Sequence, residues 1–194
     1  LYIENLVLME FFGNSVKGDF IECGTWKGGM SCGMMSVGGK DRSYHFFDSF
    51  EGLPEPKEID GKAAFEYQEN TDSPLYHNNC TADYDNFINL VHSQNIPKEQ
   101  IHVYKGWFED RMPDYPGRPI SVLRLDGDWY ESTLTCLNAL YKFVAIGGII
   151  LLDDYDAWEG CAQATHEFLG TSKACARILR TPLTQIAYIQ KLET

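Results

Sequence analysis

The sequence lacks the cysteine patterns that mark a disulfide framework or a thiolate metal site. It contains no CxxC pair and no spacing of cysteine with histidine typical of zinc ligands. Several of its cysteines lie in apolar segments, where a reduced cysteine behaves as a small hydrophobic residue. We therefore expect free thiols and a cytoplasmic protein. The cysteines are Cys23, Cys32, Cys80, Cys136, Cys161 and Cys175.

Long apolar runs and an excess of positive charge are also absent. No stretch of about 18 apolar residues occurs and no signal-peptide layout is present, so we expect a soluble protein. With 16 basic against 28 acidic residues, the net charge of −12 argues against nucleic acid and anionic membranes as partners. A small neutral or cationic ligand is compatible with this charge. The oligomeric state stays open, with a homo-oligomer among the candidates.

Short apolar runs alternate with helical patterns along all 194 residues, which we interpret as a single domain, residues 1–194. This order predicts an α/β fold with a doubly wound, Rossmann-like sheet that is mostly parallel. Residues 176–191 predict two strands around a turn at Thr181 and Pro182, and so an antiparallel C-terminal edge hairpin. The other predicted strands are 19–23, 44–47, 101–105, 120–125 and 148–152, and the predicted helices are 1–12, 30–37, 84–93, 132–143 and 159–169.

Residues 49–83 form a long polar stretch between the second strand and the next helix, here named the lid segment. Loops of this length within a compact domain are usually functional lids or mobile segments. We therefore expect the lid segment to be an active-site loop that excludes water when it closes.

Carboxylates follow two of the apolar strands directly. Asp126 ends the run ISVLRL, and Asp153 and Asp154 end the run GIILL. Ligands of open parallel sheets bind outside the carboxyl ends of the strands, and clustered acids there are costly unless a cation is present. Oxygen ligands favour Mg²⁺ or another hard divalent ion, which we predict at these three residues. The alternative for Asp154 is a role in capping the following turn.

Asp128 lies two residues after Asp126 and is our candidate general base. A metal ion lowers the pKa of a hydroxyl group into the range in which a carboxylate can remove its proton. His166 is a weaker candidate, because most single histidines on helices are structural or exposed. His77 lies in the lid segment within possible reach of a substrate, but nothing in the sequence selects it.

The first strand leads into the turn ECGTWKGG, residues 22–29, which is typical of nucleotide-binding folds. It is not the dinucleotide form, because Trp26 stands where GxGxxG has its second glycine. Glu22 would also repel phosphate groups. An acidic residue beside a glycine turn suits a ligand with a free amino group and no phosphate, and S-adenosylmethionine fits that description.

Two further segments suit a nucleoside ligand. Asp48 ends the second strand, 24 residues after Gly24, where an acid accepts hydrogen bonds from ribose hydroxyls, although a plain strand-end acid is the alternative. Gly106, Trp107 and Phe108 follow the third strand, where an aromatic ring can stack on adenine or simply plug the strand end.

Together these segments resemble the macrocin O-methyltransferase (TylF-type) family, which methylates sugar hydroxyls on macrolide and related antibiotics. The resemblance runs in family order over roughly residues 18–169. It rests on GDFIECGTWKGGMS, FFDSFEGLP, HVYKGWFEDRMP, VLRLDGDWYEST, ALYKFVAIGGIILLDDY and GCAQATHEF.

The resemblance implies a class I methyltransferase fold, S-adenosylmethionine as methyl donor, and a Mg²⁺-type ion at Asp126, Asp153 and Asp154. It also implies Asp128 as the base. The implied cofactor-binding residues are Glu22, Gly24, Thr25, Trp26, Ser31, Asp48, Ser49, Gly106, Trp107, Phe108 and Asp126.

We therefore expect Mg²⁺-dependent transfer of a methyl group from S-adenosylmethionine to a small-molecule hydroxyl. The expected acceptor is a sugar of a glycosylated natural product or a glycan. Two alternatives stay open, a non-catalytic nucleoside-binding module of methyltransferase fold and a metal-dependent phosphohydrolase that uses the three aspartates. Release of S-adenosylhomocysteine against release of phosphate separates them.

Overall fold

The computed structural model describes residues 2–172, 174 and 176–192, which form one seven-stranded sheet with helices on both faces. The sheet has the strand order β3-β2-β1-β4-β5-β7-β6. The strands are β1 (Asp19–Cys23), β2 (Tyr44–Asp48), β3 (Ile101–Lys105), β4 (Ile120–Leu125), β5 (Val144–Leu152), β6 (Ile178–Arg180) and β7 (Ala187–Gln190). The α-helices are α1 (Tyr2–Leu8), α2 (Gly29–Gly38), α3 (Lys62–Glu69), α4 (Tyr84–His92), α5 (Phe108–Arg111), α6 (Tyr130–Leu140) and α7 (Glu159–Ser172).

The sheet is parallel from β3 to β5, and β7 and β6 add an antiparallel edge. This confirms the predicted fold class. In the ladder, Cys23 of β1 pairs with Leu125 of β4, and Leu125 pairs with Leu152 of β5. Because these strand ends are level, the residues that follow β1, β4 and β5 emerge side by side at one edge of the sheet.

The apolar runs of the central strands are buried on both faces of the sheet. Phe20 and Val122 pack on the side of α2 and α4, whereas Ile21 and Leu123 pack on the opposite side with α6 and α7. Burial of one such side chain contributes about 1.5–3 kcal/mol. The need to cover both faces explains why these strands read as continuous apolar runs rather than as alternating ones.

The N-terminal segment continues from α1 into a single π-helical turn, Met9–Gly13. Gly13 packs so closely on the ring of Phe20 that an added Cβ would lie 2.5 Å from it. This contact holds α1 against the sheet, and the buried Asn5 of α1 reaches the carboxyl edge, where its Nδ2 lies 3.4 Å from Asp153 Oδ1.

Several element bounds differ from the prediction, and the short helix α5 was not predicted. β5 begins at Val144, four residues early, because its ladder with β4 continues past an irregularity at Gly147, which has φ +86° and whose N–H donates to Lys191 O at 2.6 Å. α6 begins at Tyr130, because its N–H donates to the distant Asp60 Oδ1 at 2.7 Å. α7 continues to Ser172.

The lid segment also differs from the prediction, because it is not a plain loop. It contains α3, a short 3₁₀ turn at Glu58–Asp60 and a left-handed turn at Asn78–Cys80. α3 has one buried residue, Ala64, and therefore has too little apolar periodicity to be recognised in the sequence.

Five cysteines lie among the described residues and all are free thiols, three of them buried, whereas Cys175 lies outside the described residues. Within the part of the chain that the structure describes, no helix has both the length and the apolar character needed to cross a bilayer.

Candidate functional site

A cavity of about 200 Å³ opens at the carboxyl edge of the sheet, over the ends of β1, β2, β3 and β4. Its walls come from four strand-end turns and from the lid segment. The lining residues are Gly24, Trp26, Asp48, Ser49, Gly52, Leu53, Pro54, Cys80, Gly106, Trp107, Phe108, Asp126, Gly127, Asp128 and Ser132.

The glycine turn after β1 packs directly against the chain that follows β4. Gly24 has φ +85°, and an added Cβ would lie only 1.8 Å from the backbone oxygen of Asp126. No side chain fits there, so the turn requires glycine for both its conformation and its close approach. The result is a narrow cavity floor that joins Gly24 to Asp126.

Trp26, the next lining residue, connects the glycine turn to the lid segment. Its φ of +45° is unusual for a bulky residue and carries a cost in strain. The indole Nε1–H donates to Thr81 O at 3.3 Å, and the ring centroid lies 5.5 Å from that of His77. Trp26 thus forms a wall of the cavity, and the ring of His77 packs against it.

Asp48 fixes the shape of the glycine turn. Its Oδ2 accepts the backbone N–H groups of Thr25 at 2.7 Å and Trp26 at 2.8 Å, while its Oδ1 accepts that of Phe50 at 2.6 Å. A carboxylate has about four acceptor positions, so Oδ1 retains capacity for one more donor. The ribose contact of Asp48 stays a prediction, now beside a clear structural role.

Glu22, Thr25 and Ser31 were predicted to bind cofactor but do not line the cavity. Glu22 and Ser31 are fully buried, and the Ser31 hydroxyl donates to Glu22 Oε2. Burial raises the pKa of Glu22 to about 7. Glu22 and Ser31 support the turn from beneath. A direct contact with the cofactor stays a prediction for Glu22, Thr25 and Ser31.

The predicted metal ligands come together at the same edge. Asp126, Asp153 and Asp154 each offer a carboxylate oxygen, and these three atoms lie within 4.8 Å of one another. We name these residues the acidic cluster. Burial raises the pKa of Asp126 and of Asp154, and repulsion within the cluster adds to the effect. An all-oxygen donor set of this kind fits a hard divalent ion such as Mg²⁺ or Mn²⁺.

Arg124 is a site residue that the sequence interpretation missed. Its Nη1 lies 2.7 Å from Asp126 Oδ2 and 2.9 Å from Glu22 Oε1, and its Nη2 lies 2.8 Å from Asp153 Oδ1. The run ISVLRL was interpreted only as an apolar strand. The available signal was the charge itself, because an arginine in a buried strand requires partners.

Asp128 lines the cavity beside the acidic cluster, in a left-handed backbone conformation with φ +59°. Its N–H donates to Asp154 Oδ2 at 3.0 Å, and its Oδ1 accepts the indole N–H of Trp158 at 2.8 Å. Burial, followed by the negative charge of Asp126, raises the pKa of Asp128. Trp158 is a second residue that the sequence interpretation missed, since nothing in the sequence relates it to Asp128.

The lid segment contributes a third missed residue, Cys80. It lines the cavity and is the last of three successive residues with positive φ, Asn78 to Cys80. Its Sγ lies 3.5 Å from the Tyr67 hydroxyl, and burial raises the pKa of the thiol. The cysteine thus sits in the cavity as a protonated thiol.

The aromatic segment after β3, which was predicted to bind the cofactor, lines the cavity. Gly106, with φ +140°, turns the chain so that Trp107 and Phe108 reach the wall. Phe108 packs on Gly127, where an added Cβ would lie 3.0 Å from the ring. Stacking on adenine stays a prediction for this segment. His166 lies elsewhere, with its Nε2 2.6 Å from the exposed Tyr155 hydroxyl.

Comparisons with known proteins agree on one family. The family model described as Macrocin-O-methyltransferase (TylF) matches residues 4–190. The chain is 32% identical over 167 residues to the demethyldecarbamoylnovobiocin O-methyltransferase of Streptomyces niveus, covering 82% of this chain and 61% of that protein. It is 32% identical over 163 residues to a tetracenomycin-C rhamnosyl 4'-O-methyltransferase of Streptomyces olivaceus, covering 81% and 60% respectively.

The fold is also similar to a solved structure, that of the O-methyltransferase NovP. The TM-score is 0.79 at 28% sequence identity, covering 98% of this chain and 79% of that chain. The chain spans about three fifths of the length of the curated relatives that it matches.

Proposed function

The chain belongs to the macrocin O-methyltransferase (TylF) family, and from that premise we propose that it transfers a methyl group from S-adenosylmethionine to a hydroxyl group of a small molecule. The observation that carries the proposal is the cavity, which joins the glycine turn at Gly24 to Asp126 and Asp128 beside the acidic cluster. One cavity therefore offers a place for a nucleoside and a carboxylate that can accept a proton.

The proposed acceptor is a hydroxyl of a sugar on a glycosylated natural product. Support comes from the relatives, whose names describe O-methylation of demethyldecarbamoylnovobiocin and of a rhamnosyl tetracenomycin. The acidic character of the site is compatible with such an uncharged acceptor, because it would disfavour anionic ligands.

The methyl donor would lie across the ends of β1, β2 and β4. Asp48 retains acceptor capacity for a ribose hydroxyl, and Trp107 and Phe108 offer faces for the adenine ring. These residues would hold and orient the donor in the same cavity that Asp128 lines. Such alignment is the main contribution that a protein makes to a two-substrate transfer.

Asp126, Asp153 and Asp154 would hold a divalent ion, for which their oxygen donors fit. When bound, such an ion supplies Lewis acidity, which lowers the pKa of the acceptor hydroxyl. Asp128 then accepts the hydroxyl proton. The oxygen forms its new bond to the methyl carbon as the carbon–sulfur bond breaks, and S-adenosylhomocysteine leaves with the electron pair on sulfur.

Water must be kept from the reacting atoms, and the lid segment would do this. Its part of the cavity wall comprises Ser49, Gly52, Leu53, Pro54 and Cys80. The Trp129 indole N–H donates to Pro54 O at 2.8 Å and so fastens this wall to the turn that carries Asp128. An apolar cover over the transfer site strengthens the electrostatic interactions inside it.

The first test combines binding and turnover. S-adenosylmethionine is titrated into the protein by calorimetry with Mg²⁺ and with EDTA, and the protein is then incubated with the methyl donor, Mg²⁺ and a panel of glycosylated natural products. We expect donor binding, S-adenosylhomocysteine release and a product that carries one added methyl group. Absence of donor binding under both conditions refutes the proposal. Donor binding without turnover on any acceptor favours the non-catalytic module, and phosphate release from nucleotides favours the phosphohydrolase.

A further inference from the structure

Arg124 occupies an unusual position for an arginine, inside the sheet edge that carries the site. It is 4% exposed, and its guanidinium contacts three carboxylates, those of Glu22, Asp126 and Asp153. Glu22 lies in β1 directly beneath the glycine turn, whereas the two aspartates belong to the acidic cluster. A single cation thus connects the two halves of the site.

The local balance of charge is strongly negative. Asp154 belongs to the same cluster as Asp126 and Asp153, and its Oδ2 accepts the backbone N–H of Asp128 at 3.0 Å. Among the described residues, the ion pairs of Glu22, Asp126 and Asp153 are all made with Arg124. Lys57 of the lid segment is paired with Glu131, outside the cluster. The buried Glu22 and the half-buried Asp126 and Asp153 therefore depend on one built-in positive charge.

The contacts of Arg124 are compatible with an ion in the acidic cluster. The guanidinium pairs with Asp126 Oδ2 and Asp153 Oδ1. The second oxygen of each carboxylate can therefore bind another partner. The planar guanidinium fixes carboxylates in direction as well as in charge. The two aspartates are therefore held in position from the side of the sheet.

We propose that Arg124 is the built-in counter-cation of the metal site, which positions Asp126 and Asp153 and lets the site fold before a divalent ion binds. This inference rests on the metal site in the proposed function. Two consequences follow from the charge. Without Arg124 the folded protein should depend on a divalent ion for its stability, and the ion should bind more strongly because a neighbouring positive charge is gone.

The test is a thermal unfolding series with wild type and Arg124→Met, each in EDTA and in saturating Mn²⁺. In EDTA we expect the Tm of Arg124→Met to lie about 10 °C below that of wild type, because buried carboxylates lose their partner. Mn²⁺ should recover at least about half of that loss. For wild type we expect Mn²⁺ to raise the Tm by only a few degrees, since Arg124 already compensates the cluster.

Arg42→Met is the matched control. Arg42 is half-buried and bonds to the backbone oxygens of Gly13, Gly18 and Gly38 near the opposite edge of the sheet. Its replacement should lower the Tm, and Mn²⁺ should add no more to this variant than to wild type. Arg124→Lys keeps the charge without the planar fork, so its Mn²⁺-induced rise should lie between those of wild type and Arg124→Met.

The outcomes separate the inference from the proposed function. If wild type responds to Mn²⁺ but Arg124→Met responds no more than Arg42→Met, Arg124 has only a structural role and the inference is wrong. If Arg124→Met does not fold even with Mn²⁺, Arg124→Lys decides, and a rise equal to that of wild type overturns the inference. If no protein in the series responds to Mn²⁺, the metal site itself is refuted, whatever the methyl-transfer assay shows.

Discussion

The two edges of the sheet differ in how many partners their acidic side chains have. At the amino edge, Asp19 is buried and has several partners: His45 Nε2 and Arg118 Nε each lie 3.1 Å from its Oδ2, and the Ser43 N–H donates to Oδ1 at 3.4 Å. At the carboxyl edge, a single arginine, Arg124, serves three acids. One edge has one acid for several donors, and the other has several acids for one cation.

The difference distinguishes a structural network from a binding site. A buried acid whose partners satisfy it, such as Asp19, is part of the scaffold and has little capacity left for a ligand. The acids at the carboxyl edge are crowded and retain acceptor capacity, and the cavity lies beside them. Unfavourable charge balance is retained where it serves binding or catalysis.

Backbone strain follows the same division. Left-handed conformations at residues other than glycine occur mostly around the cavity, at Trp26, at Phe50, at 78–80 and at Asp128, with Gln185 as the exception among the described residues. Each such residue costs of the order of 1–3 kcal/mol, and the surrounding structure must compensate for it. The carboxyl edge thus carries both the charge imbalance and most of the local strain.

The largest effect is expected when the charge imbalance is altered directly. Asp126→Asn removes a member of the acidic cluster and a partner of Arg124. We expect turnover to fall about 1000-fold, because the variant loses an anionic ligand oxygen and the ion pair with Arg124 that holds the cluster in position. The measurement is S-adenosylhomocysteine release at saturating donor and Mg²⁺.

Asp114→Asn is the control for that variant, because Asp114 pairs with Arg111 on the surface and should leave turnover at the wild-type level. Turnover by Asp126→Asn within about tenfold of wild type would contradict the assigned role of the cluster.

A smaller loss is expected from Asp128→Asn, which keeps the size of the side chain but removes the proton acceptor. We predict a fall in kcat of about 100-fold, the usual contribution of a general base, with the Kd for S-adenosylmethionine within about twofold of wild type. Calorimetry measures the Kd, and initial rates give kcat. A variant that keeps the full rate would show that another group accepts the proton.

Trp158→Phe tests whether the indole N–H of Trp158 orients the base Asp128. The variant removes the N–H that donates to Asp128 Oδ1 and keeps the aromatic contact with Trp129, whose centroid lies 5.1 Å away. We expect kcat to fall about tenfold with KM nearly unchanged, since a charge-assisted hydrogen bond contributes about 1.5–3 kcal/mol.

Tyr67→Phe is the matched control for Trp158→Phe. Tyr67 contacts the Trp158 ring at 5.7 Å, but its hydroxyl bonds to Cys80 and not to Asp128. Its kcat should stay within about twofold of wild type. Equal losses in the two variants would mean that Trp158 acts by packing alone.

The amino edge should respond in stability and not in turnover. Asp19→Asn weakens the pairs with His45 and Arg118, which should lower the free energy of unfolding by about 1–3 kcal/mol. Urea denaturation measures this change, and the kcat of the folded fraction should match wild type. A loss of kcat as large as that of Asp128→Asn would show that the two edges are coupled.

Much of the site could be predicted because strand ends are local features of the sequence. The runs that end at Asp126 and Asp154 predict buried parallel strands, and the geometry of such sheets brings their carboxyl ends together. Gly24 and Asp48 follow the same logic. The structure brings these predicted residues to one edge, together with Trp107 and Phe108.

The rest depends on contacts between segments that are distant in the sequence. Asp60 of the lid segment accepts the N–H of Tyr130, and Trp158 donates to Asp128. No periodicity or spacing encodes such pairs. α3 was missed for a related reason, because it has little apolar periodicity and one buried residue.

The sequence by itself determined the succession of strands and helices along the chain, the acids at the strand ends and the glycine turn. These features depend on residues that are close together in the sequence. Only the tertiary structure decided that Arg124 is the cation among those acids and that Trp158 orients Asp128. A buried charge takes whichever partner folding brings within hydrogen-bond distance, and that choice is made by the packing of the whole sheet edge.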